Sequence, residues 1–407
     1  MSNKTAAFAF IDNADASIVE LESLLTAIPA IAPESGGDGE MKKAEALISW
    51  LAPKGIVEIE RYDAPDSRVS CGRRPNIVAT IPGKEAAGRL WIMSHLDVVP
   101  EGDRALWESD PFTAVLKDGR IYGRGVEDDQ QGLVSSVFAA LALNGITPRR
   151  TVKLLFVADE EVGSKYGIRH LLSAHDLFRK DDLIVIPDGG CADGSDIEIA
   201  EKNMCWLKVS TRGVQTHAAT PDEGANAFLA ACDLALQVHD LETTVFTARD
   251  GLFQPDRTTL SPTKKLANVP NINTIPGDDV FCFDMRILPR YSVDQVLEEV
   301  GKLMRGIEKK HRVSISYEIE QKVESMPTDP DSAVVVELAR AVKEVYGVAA
   351  KPIGIGGGTV GAYLRNAGYP CAVWSRVDET AHQPNENAKL QNIKGDAKVF
   401  ASLMLDD

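Results

Sequence analysis

Five stretches of the chain end in an acid or a histidine where a run of apolar residues breaks off. They are Ser94-His95-Leu96-Asp97, Gly123-Arg124-Gly125-Val126-Glu127-Asp128, Asp159-Glu160-Glu161, Pro187-Asp188-Gly189-Gly190 and Thr380-Ala381-His382. Carboxylates and imidazoles converging from several strand ends are the parts of a two-metal hydrolytic site. Each stretch alone has an ordinary explanation. His95 would satisfy a loop carbonyl, Asp128 would cap a helix, Asp188 would make an Asp-Gly turn, Asp159–Glu161 would be a solvated bend and His382 a surface histidine. Five such coincidences in one chain are harder to accept than one site.

The local chemistry adds detail. Residues two apart on extended chain point the same way, which places Asp97 to hydrogen-bond the far nitrogen of His95 and orient it as a metal ligand. Three consecutive acids at Asp159-Glu160-Glu161 repel one another, and a cation relieves the repulsion. Adjacent acids can also divide roles, one binding metal while the other serves as a base. Glu127 and Asp129 flank Asp128 with two more acids, so the residues leave open which of the three would bridge two ions.

The elements that must hold these residues follow from periodicity. Apolar residues at helical spacing predict helices over 16–28, 40–52, 130–143 and 167–175. Strands are expected near 56–62, 76–81, 89–94, 152–158 and 183–187, and the continuous apolar run Leu90-Trp91-Ile92-Met93 reads as a central strand buried on both faces. Strands alternating with helices indicate a doubly wound α/β sheet. In such sheets ligands bind beyond the carboxyl ends of the strands, where the acids and histidines fall. Near 204 the texture changes to an α+β pattern, with a strand from 205, a helix over 224–240, a polar loop over 247–272, a strand over 280–287, a helix over 292–310 and a strand over 313–319. After 322 the α/β pattern resumes. The expectation is a split catalytic domain, 1–203 and 323–407, with a second domain inserted at 204–322.

Bulk composition excludes other classes. With 407 residues, 44% hydrophobic and 26% charged, the chain reads as a soluble globular protein of two domains. A net charge of −16 argues against nucleic acid, which needs a basic footprint. No apolar run approaches the length of a membrane span, so no membrane partner is expected and the reading is cytoplasmic. Six scattered cysteines without a CxxC argue against a structural zinc ribbon and suit reduced thiols. Cys191, three residues past Asp188, reads as a small loop residue rather than a ligand. Gly356-Gly357-Gly358-Thr359-Val360-Gly361 fits a dinucleotide-binding fingerprint. It falls late in the chain, however, and an oxidoreductase would leave the five clusters unexplained.

Taken in order, His-x-Asp, GRGxxD, Asp-Glu-Glu, Asp-Gly-Gly and a late Ala-His resemble the di-zinc metallopeptidase family 20, which includes aminoacylase, carboxypeptidase G2, acetylornithine deacetylase and succinyl-diaminopimelate desuccinylase. The resemblance covers nearly the whole chain, including an inserted lid or dimerisation domain. It implies a homodimer with two Zn2+ ions, for which Co2+ or Mn2+ can substitute. His95, Asp128 and Asp188 would hold one ion, and Asp128, Glu161 and His382 the other. Asp97 would orient His95, and Glu160 would be the general base. In the insert, Gly213-Val214-Gln215-Thr216-His217-Ala218 looks like the family's lid motif, with His217 stabilising the oxyanion in the neighbouring subunit. Asn273, Arg286 and the Gly357-Gly358-Thr359 loop match substrate-binding positions. Small N-acyl amino acids or short peptides are the implied substrates, with deacylase and dipeptidase both open and a non-catalytic binding relative as the rival. Asp129-Gln130-Gln131-Gly132 departs from the family's usual Met-Lys-Gly or Asn-Lys-Gly. Glu201–Trp206 lacks the paired arginine associated with the desuccinylase, which speaks against a succinylated substrate.

Overall fold

A computed structural model describes residues 2–405. The chain divides into two compact units, Met1–Ile199 with Thr328–Ile353 and Thr359–Asp407, and Ala200–Pro327 with Gly354–Gly358. The second unit thus begins a few residues before the expected insert and takes in the tip of the Gly-rich loop.

The first unit is built on an eight-stranded mixed sheet, ordered Ile59–Arg61, Ile77–Ile81, Arg150–Val157, Glu85–His95, Leu183–Gly190, Cys371–Ser375, Asp196–Glu201, Lys351–Ile355. The four central strands, Arg150–Val157 through Cys371–Ser375, run parallel. Their carboxyl ends therefore lie along one edge. The chain order reverses at Glu85–His95, which has Arg150–Val157 on one side and Leu183–Gly190 on the other; a crevice opens at such a reversal.

Both faces of these strands are buried. Trp91, Met93, Leu155, Val157, Ile184, Ile186 and Val373 pack with Ile168 and Leu171 of the helix Ile168–Ala174 and with Leu364 of the helix Gly361–Asn366. Each such side chain contributes about 1.5–3 kcal/mol by leaving water. On the other face, the helix Gln130–Ala142 packs on the central strands and is covered in turn by Leu390–Met404. Gly132 lets this helix approach, since a Cβ there would fall 2.6 Å from Pro187 Cγ. Gly190 serves the same purpose between strands: a Cβ would lie 1.8 Å from the Ser375 carbonyl oxygen. The glycines after Asp188 thus admit a neighbouring strand.

The second unit is a four-stranded antiparallel sheet, Thr259–Lys265, Asp278–Ile287, Asn203–Arg212, Ser314–Val323. Alternate residues (Cys205, Leu207, Val209; Phe281, Phe283, Met285) pack against the helices Ala227–Thr244 and Val293–His311. The second helix starts with a Ser292/Gln295 capping box and ends on Lys309, Lys310 and His311, which complement its dipole. The strand Thr259–Lys265 corrects the expected polar loop over 247–272. It is an edge strand carrying Pro262, Lys264 and Lys265, the residues that keep edges from pairing with other chains and make them read as polar. No helix among the described residues is long and apolar enough to cross a membrane.

Candidate active site

His95 closes its strand and is buried. Its Nδ1 lies 3.0 Å from the Asp97 carbonyl oxygen, which can only accept, so this nitrogen carries a hydrogen. In the neutral ring Nε2 then keeps its lone pair, and it points at Asp128 Oδ1, 2.9 Å away, with Asp188 Oδ1 at 3.8 Å. The Asp97 carboxylate is 3.5 Å from His95 Nδ1. Its two oxygens also accept from the amides of Glu160 at 3.0 Å and Glu161 at 3.1 Å. Asp97 thus orients His95 largely through its main chain and uses its side chain to set the acidic turn. Burial opposes its charge, but His95 and the two amides hold its carboxyl below the usual range.

The acidic triplet separates. Asp159 adopts the left-handed conformation, φ 67°, which Asp tolerates better than most residues. Its carboxylate accepts from Tyr166 N at 3.0 Å and faces Arg74 Nη1 at 3.3 Å, away from the other two. Glu161 pairs with His382, whose Nε2 is 3.0 Å from a Glu161 oxygen and 3.0 Å from Asp128 Oδ2. Among the described residues the Glu160 carboxylate makes no hydrogen bond. It lies instead in a group with His95 and Asp188, their ligand atoms all within 4.8 Å of one another; His95, Asp128 and Glu161 form a second such group. The two oxygens of Asp128 therefore face two different histidines.

Only one of the three consecutive acids does so. Asp129 Oδ2 accepts from His95 N at 3.2 Å, and Glu127 Oε1 accepts from Asp378 N at 2.7 Å. Glu386 accepts from the Asp128 amide at 3.1 Å. Glu127, Asp129 and Glu386 are site residues that sequence reasoning did not assign; the only signal was an excess of acids beside the expected ligands. Cys191 donates to Asp193 and joins neither group.

Charge in the site is out of balance. Burial raises Glu160 well above the usual carboxylate range, with Asp188 adding to the effect, and burial raises Glu161 as well. Asp188 is pushed up to about 6 by burial. Asp128 moves the other way, because His382 and His95 outweigh its burial. His382 is raised to about 10 by Asp128 and Glu161. Buried carboxylates in this number, with two imidazoles between them, are stabilised by cations. The donors are all nitrogen and oxygen, a set that suits zinc, cobalt or manganese. A cavity of about 320 Å3 opens beside Asp128, Asp188, Gly189, Gly190 and Glu379, within the size range of small-ligand sites.

The sequence profile of peptidase family M20/M25/M40 matches residues 91–406. The chain belongs to this family. It is a metallohydrolase of the M20 peptidase and deacylase group. It is 40% identical to an uncharacterized metallohydrolase of Methanocaldococcus jannaschii, over 95% of this chain and 98% of the relative. It is 28% identical to a succinyl-diaminopimelate desuccinylase of Wolinella succinogenes, over 77% of this chain and 83% of the relative. In structure it resembles the Bacillus subtilis YXEP protein, described as a dinuclear metal binding peptidase from the M20 family, with a TM-score of 0.66 at 16% identity, covering 97% of this chain and 98% of that one.

The remaining residues expected from M20 motifs lie mostly in the second unit. His217 pairs with Thr274 across a short two-stranded ladder, and Asn273 O accepts from Ala218 N at 2.9 Å, so His217 and Asn273 sit side by side. His217 Nδ1 accepts from Ala219 N at 3.0 Å, which leaves the hydrogen of the neutral ring on Nε2. Arg286 bonds Asp284 through Nε at 2.6 Å and Nη2 at 2.9 Å, and donates from Nη1 to the Gly356 carbonyl at 2.7 Å. That ties it to the loop of Gly357 and Gly358. Thr359 returns the chain to the first unit, where its hydroxyl accepts from Gly361 N at 3.1 Å. Lys202 donates to the carbonyls of Pro255 and Arg257.

Proposed function

We propose that this chain hydrolyses an amide bond next to a free carboxylate, in N-acyl amino acids or short peptides, with two Zn2+ ions bound in the acidic crevice. One observation carries the reading: Asp128 presents one oxygen to His95 and the other to His382, with Asp188 and Glu161 completing the two sides. That is the arrangement a bridging carboxylate needs. His95, Asp128 and Asp188 would hold one ion, and Asp128, Glu161 and His382 the other. When bound, such ions polarise a scissile carbonyl and lower the pKa of a water molecule.

The chain's own residues divide the rest of the work. Glu160, not engaged by His382, is the proposed general base. Its raised pKa suits a group that takes a proton from the attacking water and passes it to the departing amine nitrogen. Asp97 sets the Glu160–Glu161 turn and His95 together. His217, with its hydrogen on Nε2, is the proposed donor to the oxyanion of a partner subunit's substrate. The exposed apolar residues Phe228, Leu229 and Leu236 on the helix Ala227–Thr244 support a homodimer. Arg286 has two N–H hydrogens beyond those given to Asp284 and Gly356, enough for one substrate carboxylate. Asn273 and the backbone of Gly357, Gly358 and Thr359 would complete that subsite. The Wolinella relative favours deacylation, with dipeptide cleavage as the alternative.

The test is a panel of N-acyl amino acids and dipeptides assayed with chelated, zinc-loaded and cobalt-loaded protein. Chelation should abolish turnover and either ion restore it. Active protein that contains no transition metal on elemental analysis would overturn the reading.

A further inference from the structure

The loops that carry Asp128 and His382 lie far apart in sequence and hold each other through two buried carboxylates. Glu386 Oε1 accepts from the amides of Glu127 at 3.0 Å and Asp128 at 3.1 Å. Its Oε2 accepts from the Gly125 amide at 3.0 Å and from Arg124 Nη1 at 2.6 Å. Glu127 returns the grip. Its Oε1 accepts from Asp378 N at 2.7 Å, and its Oε2 from the Thr380 hydroxyl at 2.8 Å and from the Thr380 amide. Glu127 is 5% exposed and Glu386 1%.

The chemistry requires carboxylates. Both oxygens of each side chain face only N–H and O–H donors, and an ionised carboxylate is the one common side chain that accepts at both ends. A glutamine of the same shape would turn an NH2 against a donor. His382 needs such support: its side chain is 55% exposed, and it sits on an irregular loop at φ 62°. Its place opposite Asp128 is therefore set by the backbone around it.

We propose that Glu127 and Glu386 are reciprocal positioning residues, which clasp the Asp128 loop to the His382 loop and so fix the geometry of the Asp128–Glu161–His382 ion site. This rests on the ligand set proposed above. It gives the extra acid beside Asp128 a purpose other than ligation, and it predicts a larger effect on this ion than on the other: both share Asp128, but His95 and Asp188 stand on sheet strands that the clasp does not touch, whereas His382 stands on the clasped loop.

The experiment measures Co2+ binding to the metal-free full chain by equilibrium dialysis against a competing chelator, together with the visible spectrum of the bound ions. Wild type is titrated first. Two bound ions uphold the ligand set; fewer than two remove it, and the clasp with it. Glu127→Gln and Glu386→Gln should then bind the Asp128–Glu161–His382 ion about 10–100-fold more weakly, the usual cost of losing a residue that supports a ligand, and the other ion with a clearly smaller loss, since only Asp128 among its ligands is held by the clasp. The spectral change should be greatest for the more weakened ion. The double variant should lose little more than the worse single one, because either change opens the same clasp. Thr380→Val removes the hydroxyl that lies between Glu127 Oε2 and the Asn387 main chain while keeping both carboxylates and the Thr380 amide bond to Glu127, and it should weaken the same ion by a smaller factor even if a Gln variant fails to fold. Asp182→Asn is the stability control. It disrupts a buried carboxylate bonded to Arg89 and Trp91 beside the start of the strand Leu183–Gly190, and should leave both affinities alone. Unchanged affinities in folded clasp variants, equal weakening of both ions, or the same selective loss in Asp182→Asn would each overturn the proposal.

Discussion

In the first unit His95 is 2% exposed, and both of its ring nitrogens have partners: Nδ1 meets the Asp97 carbonyl two residues on, while Nε2 meets the Asp128 carboxylate on a loop far away in sequence. In the second unit His217 is exposed, and its ring contact is with the amide of Ala219, two residues on. The same contrast separates the carboxylates from Arg286. The acids of the crevice are held at the ends of parallel strands by bonds that cross the sequence. Arg286 is satisfied within its own sheet, by Asp284 two residues away and by one loop carbonyl. Dense cross-bonding in a buried place builds a preorganised reaction centre. Local satisfaction on an exposed surface leaves a group free to be recruited by substrate or by a second subunit. Changes in the first region should therefore disturb metal and chemistry together or separably, residue by residue. Changes in the second should leave metal alone.

The largest expected effect lies within the acidic turn. Glu160→Gln should keep both ions and lose kcat by about 10²–10⁴, the range for removal of a general base. Glu161→Ala should lose metal affinity as well as rate. Elemental analysis beside steady-state kinetics distinguishes them, and swapped phenotypes would reverse the two roles.

Next in size is His217→Ala, expected to lower kcat by about 10²–10³, as for loss of one oxyanion donor, with metal content unchanged. If His217 serves a partner's site, mixing His217→Ala with Glu160→Gln chains should restore one working site in each heterodimer. Absence of recovery in purified heterodimers would return His217 to its own subunit or remove it from catalysis.

How much of this was legible in the sequence also differs between the regions. The central strands announced themselves, because strands buried on both faces read as unbroken apolar runs, and the acid that ends such a run stands out. That is why His95, Asp188 and the Asp159–Glu161 run stood out as candidates; which of the acids and histidines, Asp128 and His382 among them, would hold metal, and that Glu160 rather than Glu161 would be the base, followed from the family resemblance. The bonds that organise them were not legible. Whether Asp97 orients His95 by carbonyl or carboxylate, and where Glu127, Asp129 and Asp159 turn, depends on backbone geometry and on partners far away in sequence. In the second unit, the alternation of Asn203–Arg212 and Asp278–Ile287 was readable, but the edge strand Thr259–Lys265 was not, since it buries little beyond Leu260. Arg286 followed from a family resemblance; nothing in the residues around it foretold that Asp284 and Gly356 would occupy three of its donors.

That occupancy limits what Arg286 can contribute, and it sets the smallest of the expected effects. A hydrogen bond to a charged group contributes about 1.5–3 kcal/mol, equivalent to roughly 10–200-fold in kcat/KM. Two hydrogens remain on Arg286 for a substrate carboxylate, one on each terminal nitrogen, and Asp284 beside them offsets part of the positive charge. The effect should therefore fall toward the lower end of that range. Replacing an N-acyl amino acid by its amide should lower kcat/KM in wild type and do so much less in Arg286→Ala. Arg286→Lys should recover only part of the loss, because a lysine cannot hold Asp284 with one edge and a substrate carboxylate with the other. Asp284→Asn should sharpen the preference for the acid over the amide by removing the competing charge, provided Arg286 keeps its bond to Gly356. Equal discrimination by wild type and Arg286→Ala would take Arg286 out of carboxylate recognition. Equal rates of wild type on acid and amide would show that the second unit does not read the carboxylate at all.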